Sequence, residues 1–316
     1  MRALIFHGPG DLRLEDVPDP VGGPGDVLVQ IEVALTDGTD AKAFQRGHPV
    51  LLGPPPSPFG HEFCGIDVAT GRRVVAANSA PCGECPPCRR GQETLCEHLF
   101  PLLNGAYAEL LLVPERIARR NLLPVPPGLA PEVAALTEPL ACCLHGISRV
   151  EIEAGEPVAI LGAGPIGLLL CSCVADAGGR PVVVGGRSER RELAGAFGAS
   201  TSLLLERFGL VIEAAGTEQA WKDATEMARP GGTVLFFGGL PSGTEVPLDA
   251  YRIHYEELTI RGAFHHTPAT VRAALGFLAS GAYPWERLIT HRVGLEGVAT
   301  LLADPPRDYL KAAVIP

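Results

Sequence analysis

The sequence predicts an α/β chain in two parts, a β-rich first part and then a parallel sheet covered by helices. Three observations carry this. The chain changes character near residue 150, strands and helices alternate after that point, and a glycine-rich turn joins the first of those strands to the first helix. Before residue 150 the apolar runs are short and broken by Gly and Pro, so 2–6, 27–33, 73–77 and 106–113 read as strands. Beyond it, 158–161 reads as a buried strand, and 165–177 as a helix ended by Gly178-Gly179. A strand at 182–184 and a helix at 189–197, closed by Gly198, come next. Further strands are expected at 210–213, 233–237 and 258–262, with helices at 218–228 and 269–279. Two connections are short: 65–74, and 199–210, which lacks a helix between its flanking strands.

Composition bounds the function. A chain of 316 residues is long enough for about two domains. A net charge of −10 makes nucleic acid a poor partner, because phosphate backbones need clustered Lys and Arg. No apolar run approaches the roughly 20 residues of a membrane span, and the N-terminal MRALIF runs into a Pro/Gly-rich stretch without a secretory core. The odd cysteine count of nine, with no disulfide framework, predicts a reduced, cytoplasmic protein.

Four of those cysteines, Cys82, Cys85, Cys88 and Cys96, fall within fifteen residues in the pattern C-x2-C-x2-C-x7-C. Four thiolates so close can wrap one tetrahedral zinc and clamp a loop. An iron–sulfur ligand run opens the same way, but its fourth cysteine follows after three residues and precedes proline. Here seven residues intervene and Glu97 follows, which favours zinc. The other five, Cys64, Cys142, Cys143, Cys171 and Cys173, lie in apolar runs and read as buried thiols.

The turn Gly162-Ala163-Gly164-Pro165-Ile166-Gly167 follows the strand VAIL and opens an apolar helix, the context a dinucleotide-binding turn requires. Gly162 permits the tight turn, Gly164 lets a pyrophosphate approach the backbone, and Gly167 lets helix and strand pack closely. Nineteen residues past Gly167 an NAD-binding unit would offer an acidic residue to the ribose hydroxyls; this chain has Gly186, followed by Arg187, Arg190 and Arg191. Loss of the carboxylate and the arrival of guanidinium groups favour NADP over NAD, with Arg187 the best candidate and Arg191 beside it.

Several residues are weak signals singly. His61 and Glu62 adjoin in a turn after the Pro-rich stretch 53–58, Asp37-Gly38-Thr39-Asp40 lies upstream, and Glu138-Pro139-Leu140 downstream. His265-His266 looks like a metal pair but suits cofactor or interface packing better, and Trp221 and Trp285 read as packing residues.

Taken in order, Gly60-His61-Glu62, the cysteine lobe, Gly105-Ala106-Tyr107-Ala108-Glu109, Glu138-Pro139-Leu140, the glycine turn and Arg229-Pro230-Gly231-Gly232 resemble the zinc-dependent medium-chain dehydrogenases over essentially the whole chain. The resemblance implies a GroES-like catalytic domain at 1–150 and 281–316, with a structural-zinc lobe at about 79–98, and a Rossmann domain at 151–280. It implies one catalytic and one structural zinc per chain, and a homodimer or homotetramer. The family's first catalytic ligand is usually a cysteine; here Asp37 stands in its place. Either the metal site is lost or a carboxylate replaces the thiolate, as in some glucose dehydrogenases. The second is favoured, because Asp carries the same charge and is an ordinary zinc ligand. The resemblance then makes Asp37, His61 and Glu138 ligands, with Glu62 entering the shell or orienting its neighbours. Thr39 matches the proton-relay hydroxyl, while Lys42 stands where that relay usually ends in histidine. The implied function is hydride transfer between NADP and a sugar, polyol or secondary alcohol, nearest the glucose dehydrogenases. A zinc-independent quinone or enoyl reductase is the alternative.

Overall fold

Strand Val27–Leu35, rich in β-branched residues, organises the first part of the chain. One edge pairs antiparallel with Glu62–Asp67. The other edge is shared, Leu110–Val113 lying against its first half and Lys311–Ile315 against its end. The sheet continues through Arg73–Ala76 and Leu122–Pro124 on one side and Ile289–Gly294 on the other. A smaller sheet joins Asp11–Asp16, Arg2–Gly8 and Ser57–Pro58. The register of the larger sheet places Leu35 opposite Glu62 on one side and opposite Ala313 on the other, so three adjacent strands bring their ends to one place.

The structure, a computed structural model, describes residues 1–200 and 207–316. These form two units, Met1–Ala141 with Thr267–Pro316, and Cys142–His266. The core of the first unit includes Leu4, Phe6, Val29, Phe59, Phe63 and Val314, with the rings of Phe6 and Phe59 stacked at 5.9 Å. The expected strand at 106–113 keeps a regular ladder only over Leu110–Val113. Its first half is taken by other partners. Gly105, at φ 109°, turns the chain, after which the amides of Ala106 and Tyr107 donate to the carbonyls of Gly60 and Phe59.

The second unit is a Rossmann sheet of five parallel strands in the order Arg180–Val184, Pro157–Leu161, Phe208–Glu213, Ala228–Phe236, Thr259–Gly262. Helices Pro165–Asp176, Ser188–Gly195 and Glu218–Met227 follow successive strands. These bounds lie close to the expected ones. Ala228–Phe236 starts earlier because Ala228 pairs with Phe208 before a register shift. The expected absence of a helix within 199–210 falls largely on 201–206, outside the described residues. Trp221 stacks on Phe236 at 3.9 Å, and Trp285 packs edge-on against Phe277 at 5.3 Å, so both indoles serve packing. Among the described residues, no helix is long and apolar enough to cross a membrane.

Candidate metal and cofactor sites

The converging strand ends gather acidic and basic side chains. Asp37 follows strand Val27–Leu35 and caps helix Gly38–Arg46. Its carboxylate accepts from the Asp40 amide at 2.7 Å, and Asp40 Oδ2 accepts from the Asp37 amide at 3.1 Å. This reciprocal box fixes both carboxylates. His61 and Glu62 enter from the neighbouring strand. One donor atom each of Asp37, His61 and Glu62 lies within 4.8 Å of the others. Asp37 keeps 16% of its side chain exposed while His61 keeps 5%, so the trio opens on the Asp37 side. Glu138, buried in the first turn of helix Thr137–Ile147, stands beside this trio rather than in it, close enough for its charge to act on His61 and Glu62.

His61 is oriented by its second nitrogen. Nδ1 lies 3.3 Å from Asp40 Oδ1, and Nε2 3.8 Å from Asp37 Oδ2. Asp40 is thus placed to take the Nδ1 proton, and Nε2 is the nitrogen turned toward Asp37, the arrangement in which a carboxylate behind a metal-binding histidine orients its ring. Burial opposes charge on His61, but the Asp37 and Asp40 carboxylates outweigh it and raise its pKa well above the usual value. Burial also pushes Asp37 up; His61, Lys311 and hydrogen bonds from the Asp40 amide and the Thr39 hydroxyl bring it below the ordinary carboxylate value.

Sequence reasoning missed Lys311. Its fully buried ammonium lies 2.8 and 2.7 Å from the two oxygens of Glu62. Burial would lower its pKa, but Glu62 and Asp37 raise it. On Glu62, burial drives the pKa up against Lys311. A signal existed: Lys311 opens the otherwise apolar run Lys-Ala-Ala-Val-Ile, and an unpaired lysine is almost never buried. Asp40 and Tyr107 were visible inside motifs but had no role assigned.

The cysteine lobe closes without strain. All four sulfurs lie within 4.8 Å of one another, with Cys82–Cys88 at 4.0 Å and Cys85–Cys96 at 3.9 Å. A tetrahedron of ~2.3 Å zinc–sulfur bonds has edges of about 3.8 Å. Backbone amides aim at the sulfurs: Cys82 Sγ accepts from Glu84 and Cys85, and Cys96 Sγ from Cys82 and His98. Those of Glu84 and Cys85 bring the Cys82 thiol down to about 6. Burial pushes Cys88 up to about 12. The donors fit zinc, and four thiolates leave no open position.

The glycine turn sits where the strand order reverses, after strand Pro157–Leu161 and beside Phe208–Glu213, the crevice such sheets use for nucleotides. Gly162 has φ 115°. A Cβ on Gly167 would fall 2.0 Å from the Gly162 carbonyl oxygen, while one on Gly164 would meet nothing. Gly167 is therefore a packing point that must lack a side chain, and Gly164 leaves an open face above the N-terminus of helix Pro165–Asp176. Gly186 has φ 76°, and a Cβ there would lie 2.7 Å from that of Ala163. A side chain at Gly186 is thus disfavoured both by the backbone and by the approach of Ala163. Arg191 donates to the Gly186 carbonyl at 2.8 Å and anchors this loop. Arg187 immediately precedes helix Ser188–Gly195 without a side-chain cap, and burial and the Arg187 charge lower the Arg190 pKa.

Gly186→Asp is expected to cost about 1–2 kcal/mol from the left-handed backbone alone, without raising NAD affinity. Urea denaturation and cofactor kinetics check this; a stable variant that prefers NAD would contradict it.

Two family profiles match the chain: the alcohol dehydrogenase GroES-like domain over residues 23–127, and the zinc-binding dehydrogenase over residues 165–280. L-galactonate-5-dehydrogenase of Escherichia coli (strain K12) is 30% identical over 98% of this chain and 96% of that protein. L-threonine 3-dehydrogenase of Streptomyces avermitilis is 31% identical over 96% of each. Among solved structures, a protein assigned as a zinc-binding dehydrogenase from Sinorhizobium meliloti 1021, bound to NADP, superposes with a TM-score of 0.89 at 32% identity, covering 100% of this chain and 99% of that one.

Proposed function

The chain belongs to the zinc-dependent medium-chain dehydrogenase family, and from that premise we propose that it transfers hydride between NADP and a sugar, polyol or related secondary alcohol at Asp37, His61 and Glu138. The observation that carries this reading is the buried trio of Asp37, His61 and Glu62. Four carboxylates meet there, counting Asp40 and Glu138, against the permanent cation of Lys311. Such an excess of interior negative charge calls for a metal ion or for protons. One imidazole among carboxylates suits zinc, with less selectivity against manganese or cobalt than a thiolate set would give. A sugar acid and an amino acid with a secondary alcohol come into the proposal from the relatives named for L-galactonate and L-threonine.

Zinc held there supplies Lewis acidity toward a substrate oxygen, and the nicotinamide supplies the hydride chemistry. The protein's own groups do the rest. Asp40 holds His61 in one tautomer. Lys311 anchors Glu62 by a hydrogen bond to Oε1 and an ion contact to Oε2. Thr39, two residues after Asp37 in the first turn of helix Gly38–Arg46, places a hydroxyl able to receive a proton from a substrate alcohol. Glu62 is a positioning group in this reading, its Oε1 held by the Lys311 ammonium. The zinc-independent reductase alternative draws no support from such a donor set. Self-association into a dimer or tetramer suits the exposed edge strand Thr259–Gly262.

Reduced-nicotinamide absorbance across aldoses, polyols, sugar acids and alcohols, with NADP and NAD side by side, tests the proposal. NADP should give the higher kcat/KM. Arg187→Ala should raise KM for NADP on the order of 10–100-fold, the range for one charge-assisted contact, and leave NAD kinetics nearly unchanged. A clear preference for NAD in the unaltered chain would overturn the cofactor assignment, and full turnover after chelation would overturn the metal assignment.

A further inference from the structure

Tyr107 is fully buried, and its contacts reach both segments that flank the catalytic trio. Its amide donates to the Phe59 carbonyl at 3.0 Å, and its own carbonyl accepts from the Leu4 amide at 2.8 Å. Its ring lies over Gly60, where a Cβ would come within 2.5 Å of it. Gly60 has φ 89° and precedes His61 directly. At the far end of the ring, the hydroxyl lies 3.1 Å from the Leu35 carbonyl and in hydrogen-bonding contact with Asp40 Oδ2. Leu35 ends the strand before Asp37, and Asp40 is the third residue of the helix that Asp37 caps.

Asp40 is the point where these contacts act. Oδ2 receives the Asp37 amide and faces the Tyr107 hydroxyl, while Oδ1 faces His61 Nδ1. A phenol has one proton to give. Given to Asp40, it completes a set of donors around a buried carboxylate and holds that carboxylate square to the imidazole. Phenylalanine would fill the same space over Gly60 but would leave the buried Asp40 one donor short.

We propose that Tyr107 is a positioning residue for the metal site, its hydroxyl fixing Asp40 and through it the tautomer and orientation of His61. The inference rests on the reading of Asp37 and His61 as metal ligands. Zinc or cobalt(II) titrated into metal-stripped protein against a chromophoric chelator tests it. Tyr107→Phe should weaken the carboxylate–imidazole site about tenfold, as loss of a hydrogen-bond partner behind a metal ligand does, and change its cobalt(II) visible absorption. The four-cysteine site should bind as before and so report that the fold is intact. Asp37→Ala serves as the control on the underlying reading. If Asp37→Ala still binds two metals, the ligand reading fails. If it binds one, while Tyr107→Phe binds both with wild-type affinity and spectrum, the positioning role fails and the ligand reading stands. Should Tyr107→Phe not fold, Asp40→Asn, which keeps the ring over Gly60, replaces it. That variant should show the same selective loss, and unchanged affinity in it would overturn the proposal.

Discussion

Replacing Asp37 by alanine should leave the chain with one bound metal, the one at the cysteine lobe, and should lower kcat/KM by on the order of 10³-fold or more. The size follows from the several kcal/mol that a Lewis acid contributes to a charged transition state, at about 1.4 kcal/mol per decade of rate. Asp37 has a second task as the cap of helix Gly38–Arg46, and alanine at a cap costs about 0.5–2 kcal/mol of stability. Asp37→Asn separates the two, because asparagine caps well but brings no negative charge. It should keep thermal stability near that of the unaltered chain while losing the metal. Metal content by atomic emission, read beside turnover, checks both variants. Wild-type turnover in Asp37→Ala would remove Asp37 from the ligand set.

Lys311→Met should be the most destabilising single change at this end of the sheet, costing about 3–5 kcal/mol, because it strands the Glu62 carboxylate in the interior. That is a large share of the roughly 5–15 kcal/mol that holds a domain folded. The loss should be mostly recovered in Lys311→Met combined with Glu62→Gln, since the second change removes the stranded charge. Denaturant midpoints of the two variants measure this. A loss below about 1 kcal/mol in the single variant would mean that the pair is solvated or that Glu62 takes up a proton freely.

Much of the fold was legible, and the reason is local. The elements after residue 150 announce themselves through apolar strands, a proline at the start of helix Pro165–Asp176 and glycines at helix ends. The cysteine spacing is likewise a local signal, and the four sulfurs do converge. The trio of Asp37, His61 and Glu62 was readable only through resemblance. Asp37 and His61 are 24 residues apart in a chain of 316, and what joins them is the pairing of two strands, which no short window contains. Lys311 was out of reach for the same reason, its partner lying 249 residues away. The role of Asp40 was hidden differently. It stood in plain view beside Asp37, but a carboxylate that orients a histidine looks in sequence like any helix-capping acid. Gly186 shows the limit of substitution logic. Its missing acid pointed to the cofactor, yet only the approach of Ala163 reveals that a side chain could not be carried there.

The 249-residue separation of Lys311 from Glu62 also sets a timetable. On the ribosome, Asp37, His61 and Glu62 emerge first, then the whole of Cys142–His266, and only afterwards the strand that neutralises Glu62. At translation speeds of about 5–20 residues per second, Glu62 waits roughly 10–50 s for its ammonium partner. During that interval the nascent chain presents its acidic residues unbalanced to whatever cations surround it. Closing this end of the sheet is therefore a late step, which waits for strand Lys311–Ile315 to pair with Val27–Leu35.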